Sequence, residues 1–140
     1  MTTENRQLKK MQNKNNIIDY WLESADHDLD TAQGLFDISK YDWCLFISHL
    51  VIEKLLKAHY VNDNNEVAPK THDLVYLAKN TKINLDYEKI VLLDIIKDFN
   101  MEARYPDDKF EFYKKCNKEF ASKYFEQIKD LYKWLKSTLK

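Results

Sequence analysis

Apolar residues along the chain repeat at three- and four-residue steps, the period of helices packed on one face. Ile18, Leu22, Ala25, Leu29, Ala32 and Phe36 trace such a stripe, which predicts a first helix from about Ile17 to Ile38. Asp19, Glu23, Asp26, Asp30 and Asp37 follow the same spacing on a neighbouring face. A second helix is predicted from about Tyr41 to Val61. It is apolar over most of its circumference, so it must be central or covered by a partner. At 100° per residue, His49, Glu53, Lys57 and Tyr60 form one narrow polar strip on it. Lys54 falls outside that strip, among Ile47, Leu50, Val51 and Ala58. A buried, unpaired ammonium is costly, so Lys54 must reach a carboxylate or extend its stem to water.

After an Asn- and Asp-rich loop ending in Pro69, a short helix is predicted with Thr71 as its N-cap and Leu74, Val75, Leu77 and Ala78 as its apolar residues. A fourth helix follows from about Asp86 to Ala103, with Ile90, Leu93, Ile96 and Phe99 or Asn100 inward. Pro106 disfavours the helical conformation at Tyr105 and ends it. The last helix begins near Cys116 or Asn117. Ala121, Tyr124, Ile128, Leu131, Leu135 and Leu139 form its core stripe, while Lys115, Lys118, Lys129, Lys133, Lys136 and Lys140 gather on another face. The acidic and basic stripes are solvated faces or pair with each other, within the bundle or between chains. The expectation is an all-α, up-and-down bundle of about five helices, four long and one short. Residues 1–16, polar and without period, read as a flexible lead-in, or alternatively as a partner-binding tail; residues 17–140 form the helical domain.

Composition narrows this picture. The 140 residues include one Gly and two Pro, too few turn formers for a multi-strand β fold. A net charge of −1 argues against coating nucleic acid by bulk electrostatics. Cys44 and Cys116 form no C-x-x-C pair, and Cys44, set among apolar residues, reads as buried and reduced. No apolar run is long enough to span a bilayer, and the N-terminus lacks the apolar core of a signal peptide. Cytoplasm is therefore the expected compartment.

Common enzyme signatures are missing. A lone Gly34 inside the first helix leaves no phosphate loop or dinucleotide fingerprint. No H-E-x-x-H, zinc spacing or nucleophile elbow occurs. His49 and Glu53, four apart, are too few ligands to imply a metal, so no metal or cofactor is expected and no catalytic residue is assigned. Glu53 and Lys57 stand in the favourable order for a helix ion pair. His72 reads as a first-turn residue fixing its loop, or as a polar group at a helix N-terminus, where anions are favoured. Arg104 either complements a helix dipole or recognises phosphate bidentately. His27 and His59 carry no distinctive context.

The order of several motifs resembles the HEPN domain family. Trp21-Leu22, Ala25, Asp28-Leu29 and Ala32 open the first helix, and Tyr41 starts the second, which carries Glu53-Lys54-Leu55-Leu56-Lys57-Ala58. Pro69-Lys70-Thr71-His72-Asp73-Leu74 and then Arg104-Tyr105-Pro106 follow. The resemblance spans roughly residues 17–139. It implies a helical bundle that usually dimerises. HEPN proteins are often encoded beside a minimal nucleotidyltransferase, commonly as a toxin–antitoxin pair. Some bind nucleotides, and others are metal-independent ribonucleases. The ribonuclease branch uses an Arg, four to six intervening residues, then a His, with two copies meeting across the dimer. Here the positions after Arg104 are Lys109, Phe110 and Glu111, so that motif is incomplete. Lys54, Lys57, His72, Arg104 and Tyr105 are the implied nucleotide- or phosphate-facing residues. Three functions follow as expectations: a homodimeric binding module with a nucleotidyltransferase partner and a nucleotide or RNA ligand; a divergent ribonuclease combining Arg104 with His49 or His72; or a structural interaction domain in which Lys54 and Arg104 serve internal ion pairs.

Overall fold

A computed structural model describes residues 2–102 and 104–139, leaving aside the side chains of residues 7 and 8. Among these residues the chain forms six α-helices and no strand: α1 (Thr3–Asp37), α2 (Tyr41–Asn64), α3 (Leu74–Lys79), α4 (Tyr87–Lys97), α5 (Pro106–Lys115) and α6 (Lys118–Thr138). The expected all-α bundle is therefore present. None of these helices is long and apolar enough to cross a membrane.

Helix α2 is the axis of the bundle. It packs antiparallel along α1, lies against α6, and also touches α3, α4 and α5. Its apolar circumference meets this demand, with Leu45, Val51, Ile52, Leu55 and Leu56 fully or almost fully buried. The turn between α1 and α2 spans residues 38–40. Ser39 adopts a left-handed φ of 63° there, and Lys40 N–H donates back to the Leu35 carbonyl at 2.8 Å. At the other end, Asn65 (φ 57°) stops α2 in the left-handed conformation that Asn tolerates. A smaller apolar cluster of Ile18, Ala58, Val61 and Ala68 fastens the end of α2 to α1.

Several boundaries differ from the sequence expectation. Helix α1 begins at Thr3, well before the apolar stripe, because Thr2 Oγ1 accepts the Asn5 N–H at 3.2 Å and polar helix formers continue the turn. Residues 2–6 and 9–15 stay largely solvent-exposed. Asp73, not Thr71, caps α3: its Oδ1 accepts the Tyr76 N–H at 3.0 Å, while Thr71 Oγ1 accepts from the Asp73 N–H in the preceding turn. His72 thus lies before the helix rather than in its first turn. Helix α4 ends at Lys97; Ala103, its expected end, lies outside the described residues, as does Lys140. Pro106 begins a helix that the sequence pattern does not announce. It occupies the first turn of α5, where a missing N–H costs nothing. Asp107 and Asp108 at its start and Lys114 and Lys115 at its end suit the helix dipole. Phe112 anchors it to the core.

Among the described residues, the acidic and basic stripes meet inside the chain at one place. Lys136 of α6 pairs with Asp26 of α1 at 3.0 Å, and Tyr132 Oη donates to the same carboxylate. Cys44 and Cys116 are free and buried, and burial pushes both thiols up to about 12.

Candidate functional site

Successive turns of α2 carry His49, Glu53 and Lys57 inward on one line, and the strip that reads as polar in the sequence is sealed in the structure. His49 is completely buried, Glu53 is 4% exposed and Lys57 8%. Glu53 is the hub. Its Oε1 accepts from His72 Nδ1 at 2.7 Å, and its Oε2 lies 3.3 Å from Lys57 Nζ. Lys57 also sits 5.3 Å above the Trp21 ring, so a cation–π contact joins the ion pair. His49 Nε2 stops 3.9 Å short of the same Glu53 Oε1. Neither ring nitrogen of His49 has a hydrogen-bond partner among the described residues. The ring stacks on Phe46 and tilts toward His72, with centroids 6.4 Å apart. Burial holds the His49 imidazole below its ordinary range, more strongly than Glu53 raises it; it therefore stays neutral near pH 7.

His72 reaches this hub from the segment before α3. Half of its side chain is exposed, and its Nε2 lies 3.5 Å from the exposed Glu102 carboxylate. One imidazole edge is thus fixed by a buried carboxylate while the other faces the surface. That is the geometry of a base with an orienting partner.

The remaining sequence-predicted residues are not gathered there. Lys54 leaves α2 toward α1, where its ammonium donates to Asp28 Oδ2 at 2.6 Å and Ser24 Oγ at 2.7 Å. It has the carboxylate partner its surroundings required. Arg104 turns back on its own segment: it donates to the carbonyls of Asp98 and Asn100 and lies 5.0 Å from the Phe112 ring centre. A shallow cleft beside it is lined by Asp98, Glu111 and Lys115. Tyr105 is 78% exposed and opens α5 without a side-chain cap.

The sequence reading misses four contributors. Asp28 and Ser24 sit beside the acidic stripe rather than on it, and Glu102 gives no local signal. His59 is the fourth. It lies in register with Ile52, Leu55 and Leu56 on the apolar side of α2, and that register is the available clue to its burial. Among the described residues, no group of three or more His, Cys, Asp or Glu side chains is arranged to hold a metal ion.

No curated protein matches the chain in sequence. The solved structure of TT1696 from Thermus thermophilus is similar in fold, with a TM-score of 0.72 over 86% of this chain and 96% of that one, at 17% identity. A family model described as the HEPN domain matches residues 18–138, from the start of the apolar stripe on α1 to the end of α6. By this match, over nearly the whole helical bundle, the chain belongs to the HEPN domain family.

Proposed function

We propose that the protein is a HEPN-type binding module. It works as a homodimer beside a minimal nucleotidyltransferase, in a two-component system of the toxin–antitoxin type, and takes a nucleotide or an RNA end at the surface around His72. One observation carries the ligand site: a half-exposed imidazole anchored by buried Glu53 at 2.7 Å. A phosphate would displace the exposed Glu102 carboxylate from Nε2 and take its place. Tyr105 follows within three residues of Glu102, a chain reach of about 10 Å, and offers an exposed ring to a base. Lys54 and Arg104 serve internal contacts, so recognition centres on His72. Phe110 and Tyr113 are each more than half exposed along α5, and this aromatic pair suits an interface between copies.

Light scattering at micromolar concentration, with calorimetric titration of a 5′-nucleotide and a short RNA, tests the proposal. The expected result is a dimer whose binding heat disappears in His72→Ala. A monomer that binds neither probe and fails to co-purify with an adjacently encoded nucleotidyltransferase overturns it.

The His72–Glu53 pair also supports a second reading, a metal-independent ribonuclease with His72 as general base. RNA incubated with the protein in chelator should then be cleaved, and His72→Ala should abolish cleavage. Intact RNA under those conditions eliminates the enzyme.

A further inference from the structure

Residues 69–73, between α2 and α3, form a short strap tied to the Glu53 hub. Buried apolar residues pin both of its ends: Ala68 packs with Ile18, Ala58 and Val61, and Leu74 enters the main core. Between those pins the strap bonds mostly to itself. Thr71 N–H donates to the Pro69 carbonyl at 2.9 Å, and Thr71 Oγ1 accepts the Asp73 N–H at 3.1 Å. Asp73 is turned to the start of α3, where it accepts the Tyr76 N–H. Among the described residues, the bond from His72 Nδ1 to Glu53 Oε1 is the one hydrogen bond that ties the strap to α2.

The hub holds more donors than places for them. Lys57, four residues on, lies 3.3 Å from Glu53 Oε2. Oε1 stands between two imidazoles, 2.7 Å from His72 Nδ1 and 3.9 Å from His49 Nε2. The second distance is about 0.7 Å beyond the range of an N–H···O bond. An imidazole always carries at least one N–H, so His49 keeps a sealed donor without a partner among the described residues, a costly state. The polar groups that face it are Glu53, the ring and carbonyl of His72, and Glu102. His49 and Glu53 are one turn apart on the same helix, so a side-chain rotation closes the gap between them without moving the main chain. His72 has a second acceptor of its own, because its Nε2 lies 3.5 Å from the exposed Glu102 carboxylate.

We propose that residues 69–73 are a strap with two positions and that His49 is the reserve partner that makes the second one accessible: when His72 leaves Glu53 Oε1, the carboxylate passes to His49 Nε2–H while Lys57 keeps Oε2. Lifting the strap then exchanges one buried hydrogen bond for another and leaves neither Glu53 nor His49 unpaired. The pinned ends stay in place while the middle moves. The switch sets whether His72 is held or presented at the surface proposed above, yet it rests on the geometry of the hub and requires no ligand.

A double-mutant cycle between His72→Ala and His49→Phe, read by urea denaturation of the full chain, tests the exchange. In the wild-type background His49 takes over the carboxylate, and His72→Ala should have a small effect. In the His49→Phe background the same substitution leaves Oε1 unpaired, and it should raise the unfolding equilibrium constant by about fivefold more. Long-range 1H–15N spectra of the imidazoles need the single variant alone. In His72→Ala the His49 proton should sit on Nε2, hydrogen-bonded and slow to exchange, with ring resonances shifted from their wild-type positions. Additive losses in the cycle, an unchanged His49 ring in His72→Ala, or loss of the folded state in that variant overturns the proposal. Neither measurement contains a nucleotide or RNA, so a failure of ligand binding at His72 is a separate result.

Discussion

Glu53 and Lys54 are chain neighbours on one helix, yet they solve the burial of charge in opposite ways. Lys54 exits toward α1 and finds a single carboxylate and a hydroxyl, both within 2.7 Å, with 21% of its side chain still exposed. Its requirements are met, and the pair is closed. Glu53 faces the sealed side, where His49, His72 and Lys57 all approach one carboxylate. Oε1 is committed to His72, and His49 is left without a partner among the described residues. The difference lies in the number of groups competing for each acceptor more than in depth of burial. The side of α2 with unmet polar demand is also the side that reaches the surface through His72, and local conflicts of this kind concentrate where function overrides stability.

The largest expected effect comes from removing the hub. Glu53→Ala strands a nearly buried ammonium and should destabilise the fold by about 3–5 kcal/mol, measured as a lowered chemical denaturation midpoint. A loss below about 1 kcal/mol would mean that Lys57 reaches water without help. Next, His49→Phe removes two buried nitrogens that have no partner among the described residues and keeps the stacking surface on Phe46. It should be neutral or stabilising, by up to about 2 kcal/mol, in the same assay. A clear destabilisation would show that His49 has a partner in solution and would erase the asymmetry between the two sides.

Of comparable size, Lys54→Met should cost about 1–2 kcal/mol, the lower end of the scale for a charged hydrogen bond, at a position still partly open to solvent. A double-mutant cycle with Asp28→Asn should recover most of that cost as coupling. The smallest effect is one of pH. Burial lowers the His49 imidazole in the folded state, against the pull of Glu53, and lowers His59 in the same direction. The unfolded chain therefore binds these protons more readily. Stability should be full above the ordinary histidine value of 6.5 and decline as the pH falls from there toward the folded values. Urea midpoints on either side of that value check the sign, and His49→Phe should flatten the decline.

Much of the architecture is legible in the sequence because α1, α2 and α6 are long enough for their apolar stripes to declare a period. Helix α5 is not, because a proline can stop one helix or start the next and no local pattern separates the two. The cap of α3 is predicted two residues early for a similar reason: Thr71 and Asp73 both suit the role, and the chain uses them in successive turns. For the site, the spacing of His49, Glu53 and Lys57 puts them correctly on one face. It does not show that the face is buried, since burial is decided by α1 and by the segment carrying His72. The demand of Lys54 for a carboxylate is readable, whereas its partner, on another helix, is not.

The two thiols give the bundle an internal clock. With both pushed up to about 12, almost no thiolate exists near neutrality, and reagents that need one must wait for the structure to open. Cys44 lies in the first turn of α2 and Cys116 caps the end of α5, so each times the release of a different element. Their relative labelling rates would rank how often the axis helix and the short proline-started helix come away from the core.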